Sequence, residues 1–167
     1  MADLSKVRYF SMYEFPGREK EVELAQQELF TALDEYRVLM GNPIHPSPVE
    51  GALSRFTGSP TSRHFVDNLK RSDAIDVFAQ GDFFHNWRIA TMSRLFGGVG
   101  IYTDTIFRNV RWPMLHLDRR PTPYTVIWAR HEGDYIYPST SAQALRIFTD
   151  ALEIAADLIN QNVRGNR

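Results

Sequence analysis

"SRHFVDNLKRSDAIDVF", residues 62–78, holds one histidine, three aspartates and an apolar run. The run 74–78, AIDVF, has the composition and length of a buried strand. Strand side chains alternate between faces, so Ile75 and Val77 share the core side, and Ala74, Asp76 and Phe78 share the other. Slipping the register by one residue would drive the carboxylate into the core. Asp76 therefore leaves the core beside a small neighbour, whereas Asp73 points the other way or lies in the preceding loop. Taken alone, such an aspartate is a solvated carboxylate on an exposed face. The stretch 114–120, MLHLDRR, repeats the pattern. Leu115 and Leu117 face the core, and Met114, His116 and Asp118 share the opposite face. A carboxylate two residues from a histidine can orient the imidazole or exchange protons near it. Alone, this too reads as a surface His–Asp pair.

The flanking sequence sets these strands in an α+β chain. Residues 18–40 carry Val22, Ala25, Leu29, Leu33, Tyr36 and Met40 on one helical face, with Gly41 as the C-cap. Residues 42–63, rich in Pro, Ser and Gly, read as loop with a short strand. Asp82 caps a helix running to about Phe96, and VGIY follows as a strand. Residues 113–118 and 124–130 form two strands joined through RRPTP, and HEGD turns into YIYP. Ser141 starts a last helix with Leu145, Phe148, Leu152, Ala155 and Ile159 as its buried stripe. The order predicts helices on one face of a small, mostly antiparallel sheet, in a single domain over residues 1–167.

Of the 167 residues, 43% are apolar and 23% charged, the net charge is −1 and there is no cysteine. Near-neutral charge removes the global field that recruits nucleic acid or an anionic membrane. Without cysteine there is no disulfide framework and no thiolate metal site, so metal ligands must be His, Asp or Glu. No signal peptide and no membrane span is expected.

Taken together, the pieces resemble the zinc peptidases of the D-Ala-D-Ala carboxypeptidase and hedgehog-domain superfamily, which includes phage L-alanyl-D-glutamate endopeptidases. Ser62-x-His64, Ala74-x-Asp76 and His116-x-Asp118 carry the resemblance. YFSMYEF (9–15), GNPIHPSPVEGALSRF (41–56) and GGVGIY (97–102) are similar to segments of its phage-like branch, in the same order. The resemblance implies a zinc held by His64, Asp76 and His116. It implies Arg55 as a catalytic group binding a substrate carboxylate or an oxyanion, and Asp118 as the acid/base, with a supporting role for Asp118 the alternative. Ser62 orients the His64 loop, and with Tyr102 and Trp112 it belongs to the substrate side. A Ser-His-Asp triad is not favoured, since Ser62 lies in no nucleophile elbow. Of the remaining histidines, His45 and His131 read as loop and turn residues, and His85 as helical surface.

Two departures from the family pattern stand out. Eleven residues separate His64 from Asp76. That is longer than usual by about five, an insertion that costs little closure entropy. Pro113 occupies the place where several relatives carry an acidic residue. The expected function is a zinc peptidase of the D,D-carboxypeptidase or L-alanyl-D-glutamate endopeptidase type. It would hydrolyse peptidoglycan stem peptides as a phage lysin, made in the host cytoplasm and acting at the cell wall or from the virion. The alternative is a virion structural protein that keeps a peptidase-like fold and contacts other virion proteins.

Overall fold

The computed structural model describes residues 2–67 and 70–165. Strands β1 (Ile44–Pro46), β2 (Ala74–Ala79), β3 (Gly98–Tyr102), β6 (Met114–Asp118), β7 (Val126–His131) and β8 (Asp134–Ile136) form one sheet in the order β1-β2-β6-β3-β7-β8. All neighbours are antiparallel except β3 and β7. β4 (Ile106–Phe107) and β5 (Val110–Arg111) make a separate hairpin. Helices α1 (Glu19–Leu24), α2 (Gln27–Met40), α3 (Phe83–Met92) and α4 (Ala142–Gly165) complete the chain. The fold is α+β with a mostly antiparallel sheet, as expected.

One face of the sheet makes the core. Ile75, Val77, Val99, Ile101, Leu115, Leu117 and Ala129 are buried with Leu29, Leu33, Tyr36, Phe148, Ala155 and Ile159 of the helices. Alternation then places Asp76, His116 and Asp118 on the opposite face. Registration completes the arrangement: Asp76 lies opposite His116 and Ala74 opposite Asp118.

The glycines of β3 serve that second face. Gly98 is paired with Asp118, and Gly100 with both His116 and Trp128. A Cβ on Gly100 would lie 2.5 Å from the Trp128 ring, and one on Gly98 would strike the Asp118 carboxylate. The missing side chains leave space for Trp128 and the Asp118–Arg120 pair to lie across the strand.

Several elements differ from the sequence reading. The first helix is broken: Ala25 is extended (ψ 160°) and forms an isolated bridge with Ser72, and Gln26 donates to the Ser72 carbonyl at 2.8 Å. Both halves keep the buried face. The α3 helix ends at Met92, before Phe96. The strands β6 and β7 share the sheet but are not neighbours, because β3 lies between them. Leu145 does not join the stripe of α4; it is 53% exposed in the first turn.

Candidate metal centre

Each ligand comes from a separate element. Asp76 and His116 are cross-strand partners on β2 and β6. His64 enters from the loop before β2, which is tied down on several sides. The Arg55 amide donates to the His64 carbonyl (2.9 Å) and Lys70 Nζ to the Ser62 carbonyl (2.7 Å). The Ser72 hydroxyl bonds the Arg63 carbonyl at 3.2 Å, and Arg63 pairs with the buried Asp73 carboxylate. Lys70, Ser72 and Asp73 therefore brace the histidine loop, and none of the described residues of 65–73 lines the cleft above the site.

His64 Nε2, Asp76 Oδ1 and His116 Nδ1 converge. The two nitrogens are 3.0 Å apart, and Asp76 Oδ1 lies 3.4 Å from His64 and 2.9 Å from His116. A four-coordinate ion with bonds of about 2.0–2.1 Å sets its ligands about 3.3 Å apart, close to this triangle. These three residues form a group able to hold a metal ion.

Hydrogen bonds on the far sides of both rings favour that use. His116 Nε2 faces Asp118 Oδ2 at 3.2 Å, and an ionised carboxylate only accepts, so the ring proton belongs on Nε2. His64 Nδ1 faces the Leu53 carbonyl at 3.4 Å, which places its proton there. With the ring protons on those far sides, the His64 and His116 nitrogens that face Asp76 aim lone pairs at each other and at its carboxylate. Three such atoms at this spacing require a cation between them, either a metal ion or a proton. Without metal, the proton takes that place. Burial pulls His116 down, but bonds to Asp118 and Asp76 and their charges outweigh it and push the imidazole up to about 9. Burial likewise opposes ionisation of Asp76, yet His64 and His116 hold its carboxyl well below the usual range.

Asp118 corrects the expectation of an acid/base there. It is fully buried, and its oxygens accept from Arg120 Nε (2.8 Å), Arg120 Nη2 (2.5 Å) and the Arg120 amide (3.0 Å), besides His116. Burial raises its pKa, but His116 and Arg120 prevail and keep it ionised. Asp118 lies behind the His116 ring, on the side away from Asp76, and acts as its orienting carboxylate.

The cleft above the ligands has a volume of about 300 Å³ and is lined in part by Glu50, Arg55, Tyr102, Arg130 and Tyr135. Arg55 lines the cleft, and its Nη2 donates to Ser62 Oγ at 2.9 Å. Ser62 itself does not line the cleft; it accepts from Arg55 and from the His64 amide (3.3 Å), so it positions rather than binds. Tyr102 does line it, stacked on His116 with centroids 6.3 Å apart. Burial and the nearby Asp76 charge keep its hydroxyl protonated. Trp112 is not at the site. It packs on the core and its Nε1 donates to the Ala79 carbonyl at 3.4 Å. His45 pairs with Gln80, His131 with Thr103, and His85 opens α3, so none of the three joins the centre.

Residues missed from sequence are Glu50, Arg130 and Tyr135. Glu50 is the one carboxylate besides Asp76 that lines the cleft among the described residues. Arg130 is brought there by the parallel pairing of β7 with β3, which sets it beside Tyr102. Glu50 lay within the quoted 41–56 segment, whereas Arg130 carried no local signal. Among the described residues, no helix is long and apolar enough to cross a membrane. Comparison with protein-family models, with curated proteins and with solved structures gives no match for this chain.

Proposed function

We propose that the chain is a zinc-dependent peptidase of the D-Ala-D-Ala carboxypeptidase and L-alanyl-D-glutamate endopeptidase type, cutting peptidoglycan stem peptides as a phage lysin. The observation that carries the reading is the convergence of His64, Asp76 and His116 beside a cleft that His64 and Asp76 line together with Arg55 and Arg130. Two imidazoles and a carboxylate suit zinc without cysteine and leave a fourth position open. Zinc held there would supply a water acidic enough to ionise near neutral pH and a Lewis acid for the scissile carbonyl.

The chain's own residues supply the rest. Arg55 and Arg130 are available to substrate carboxylates, which stem peptides carry. The Tyr102 hydroxyl, held neutral, is a hydrogen-bond donor for a developing oxyanion. Asp118 holds His116 in the ligating tautomer. With Asp118 committed, Glu50 is the cleft carboxylate free to take the water's proton and return it to the leaving amine.

One observation favours a second reading, a virion structural protein that keeps the metal and has lost the chemistry: Asp118 is wholly engaged by His116 and Arg120. Mass spectrometry of purified peptidoglycan, digested with the zinc-loaded and the chelated protein, separates the two. New stem-peptide termini that require zinc uphold the peptidase; intact peptidoglycan with zinc fully bound selects the structural protein.

A further inference from the structure

A larger cavity, about 780 Å³, adjoins the metal cleft and shares Glu50, Gly51 and Arg55 with it. Both volumes fall in the range of ligand sites, roughly 300–1,000 Å³. The segment between them is rigidly held. The Glu21 carboxylate accepts the amides of Gly51 (3.2 Å), Leu53 (3.2 Å) and Ser54 (3.1 Å), and the Ser54 hydroxyl donates to the Glu21 carbonyl at 3.0 Å. Arg18 donates to the same carboxylate through Nε and Nη2, both at 2.9 Å. The floor is thereby neutralised and needs no ordering when a ligand arrives.

Apart from Glu50 at the boundary with the metal cleft, the charged and aromatic side chains left at the walls are Lys20, Arg55 and Phe56. Lys20 Nζ sits 5.2 Å from the Phe56 ring centroid, Phe56 is 55% exposed, and Arg55 stands on the boundary with the metal cleft. Neither Lys20 nor Phe56 is needed to build the metal centre. An exposed aromatic and two cations on a preformed floor suit an extended peptide bearing carboxylates.

We propose that the peptide groove continues from the metal cleft across Gly51–Arg55 into this cavity. There Lys20, Arg55 and Phe56 hold an acidic stretch of substrate lying beyond the scissile bond. The inference rests on the peptidase reading for its ligand. It gives the chain an endopeptidase's need for residues remote from the cut, since binding energy gained there can be used at the reacting bond.

Titration of the zinc-loaded full chain with a soluble stem tetrapeptide, followed by backbone amide NMR, reports contact whether or not turnover occurs. A capped dipeptide of the same sequence serves as the short probe. The tetrapeptide is expected to shift the amides of Lys20, Gly51, Arg55 and Phe56, and the dipeptide to leave Lys20 and Phe56 unmoved. The K20A/F56A double variant is expected to weaken tetrapeptide binding about tenfold and leave the dipeptide unchanged. Tetrapeptide shifts confined to the metal cleft, or an unchanged Kd in the variant, overturn the groove even if hydrolysis proceeds. Shifts in the groove without any hydrolysis uphold it and overturn the peptidase reading instead.

Discussion

Asp118→Asn distinguishes an orienting carboxylate from a proton shuttle. The aspartate accepts from His116 Nε2 and from three donor groups of Arg120, its amide, Nε and Nη2. Asparagine keeps the shape but has a single accepting oxygen, so its amide nitrogen must face either Arg120 or His116. Facing His116, it selects the tautomer with the proton on Nδ1, which points that proton at Asp76 and removes a metal lone pair. Facing Arg120, it leaves the guanidinium without its counter-charge. Losing an orienting partner of a metal-bound histidine costs about 10–100-fold in affinity, or ~1.4–2.7 kcal/mol. Fold stability should fall by less than the roughly 3–5 kcal/mol seen for fully buried pairs, because the Arg120 side chain is 26% exposed and water takes part of the loss. Competition with a chromophoric chelator measures zinc affinity, and hydrolysis at saturating zinc measures turnover. We expect weakened zinc binding with turnover within about tenfold of the parent protein once zinc saturates. Unchanged zinc affinity with a loss of about 10²–10⁴ in hydrolysis, the range for a general acid/base, would refute the orienting role.

Three other outcomes follow from the same geometry. Asp76→Ala should abolish stoichiometric zinc binding, whereas Asp73→Ala, which removes only the Arg63 partner behind the His64 loop, should retain zinc with a lower melting temperature; metal analysis and calorimetry read both. Glu50→Gln should leave zinc content and melting temperature unchanged and cut hydrolysis by about 10²–10⁴-fold; unaltered turnover would remove Glu50 from the chemistry. The metal-free protein should lose stability as pH rises. The His116 pKa is raised when folded, so its contribution is complete below about 6.5, disappears through about 9 and amounts to roughly 3 kcal/mol at most. Zinc must displace that proton, so binding near pH 7.5 should release about one proton, measurable by calorimetry in buffers of different ionisation enthalpy.

The face assignments were legible because strand alternation is a local property. Ile75, Val77, Leu115 and Leu117 fixed which side of β2 and β6 was core, and Asp76 and His116 had to emerge together on the other. The break at Ala25 was not legible, because its cause is the backbone of Ser72, distant in sequence; the apolar spacing on either side fits one continuous helix equally well. Trp112 and Tyr102 looked alike as aromatic rim candidates, and only tertiary packing separates them: Trp112 lies against the core, whereas Tyr102 lines the cleft. For Asp118 both roles, acid/base and support, were legible, but not the choice between them. Sharing a strand face with His116 determines proximity but not which ring nitrogen it meets, and the adjacent Arg120 decides that it meets Nε2. The spacing between His64 and Asp76 gave no hint that the inserted residues would turn back to brace the histidine loop.

The second face of the sheet is poorly suited to stability alone. A buried ionic group contributes little net stability, and well-packed apolar residues commonly do as well or better. Yet this face carries Asp76, His116 and Asp118 with Arg120, all largely withdrawn from water. It also gives up side chains at Gly98 and Gly100, where strand-forming residues would otherwise pack, to make room for that group. A purely structural role would be served by the core face, which already joins β2, β3, β6 and β7 to α2, α3 and α4. The costs concentrate where three lone pairs face one point and where two arginines and two tyrosines line the cleft above it. A ligand that supplies positive charge at that point relieves the repulsion. A substrate carboxylate above it would meet Arg55, whose Nη2 donates to the Ser62 hydroxyl, and would compete with Asp104 for Arg130. The metal site and the groove residues are distinct side chains, so the Asp76→Ala protein is expected to lose the metal while the tetrapeptide still shifts the amides of Lys20 and Phe56.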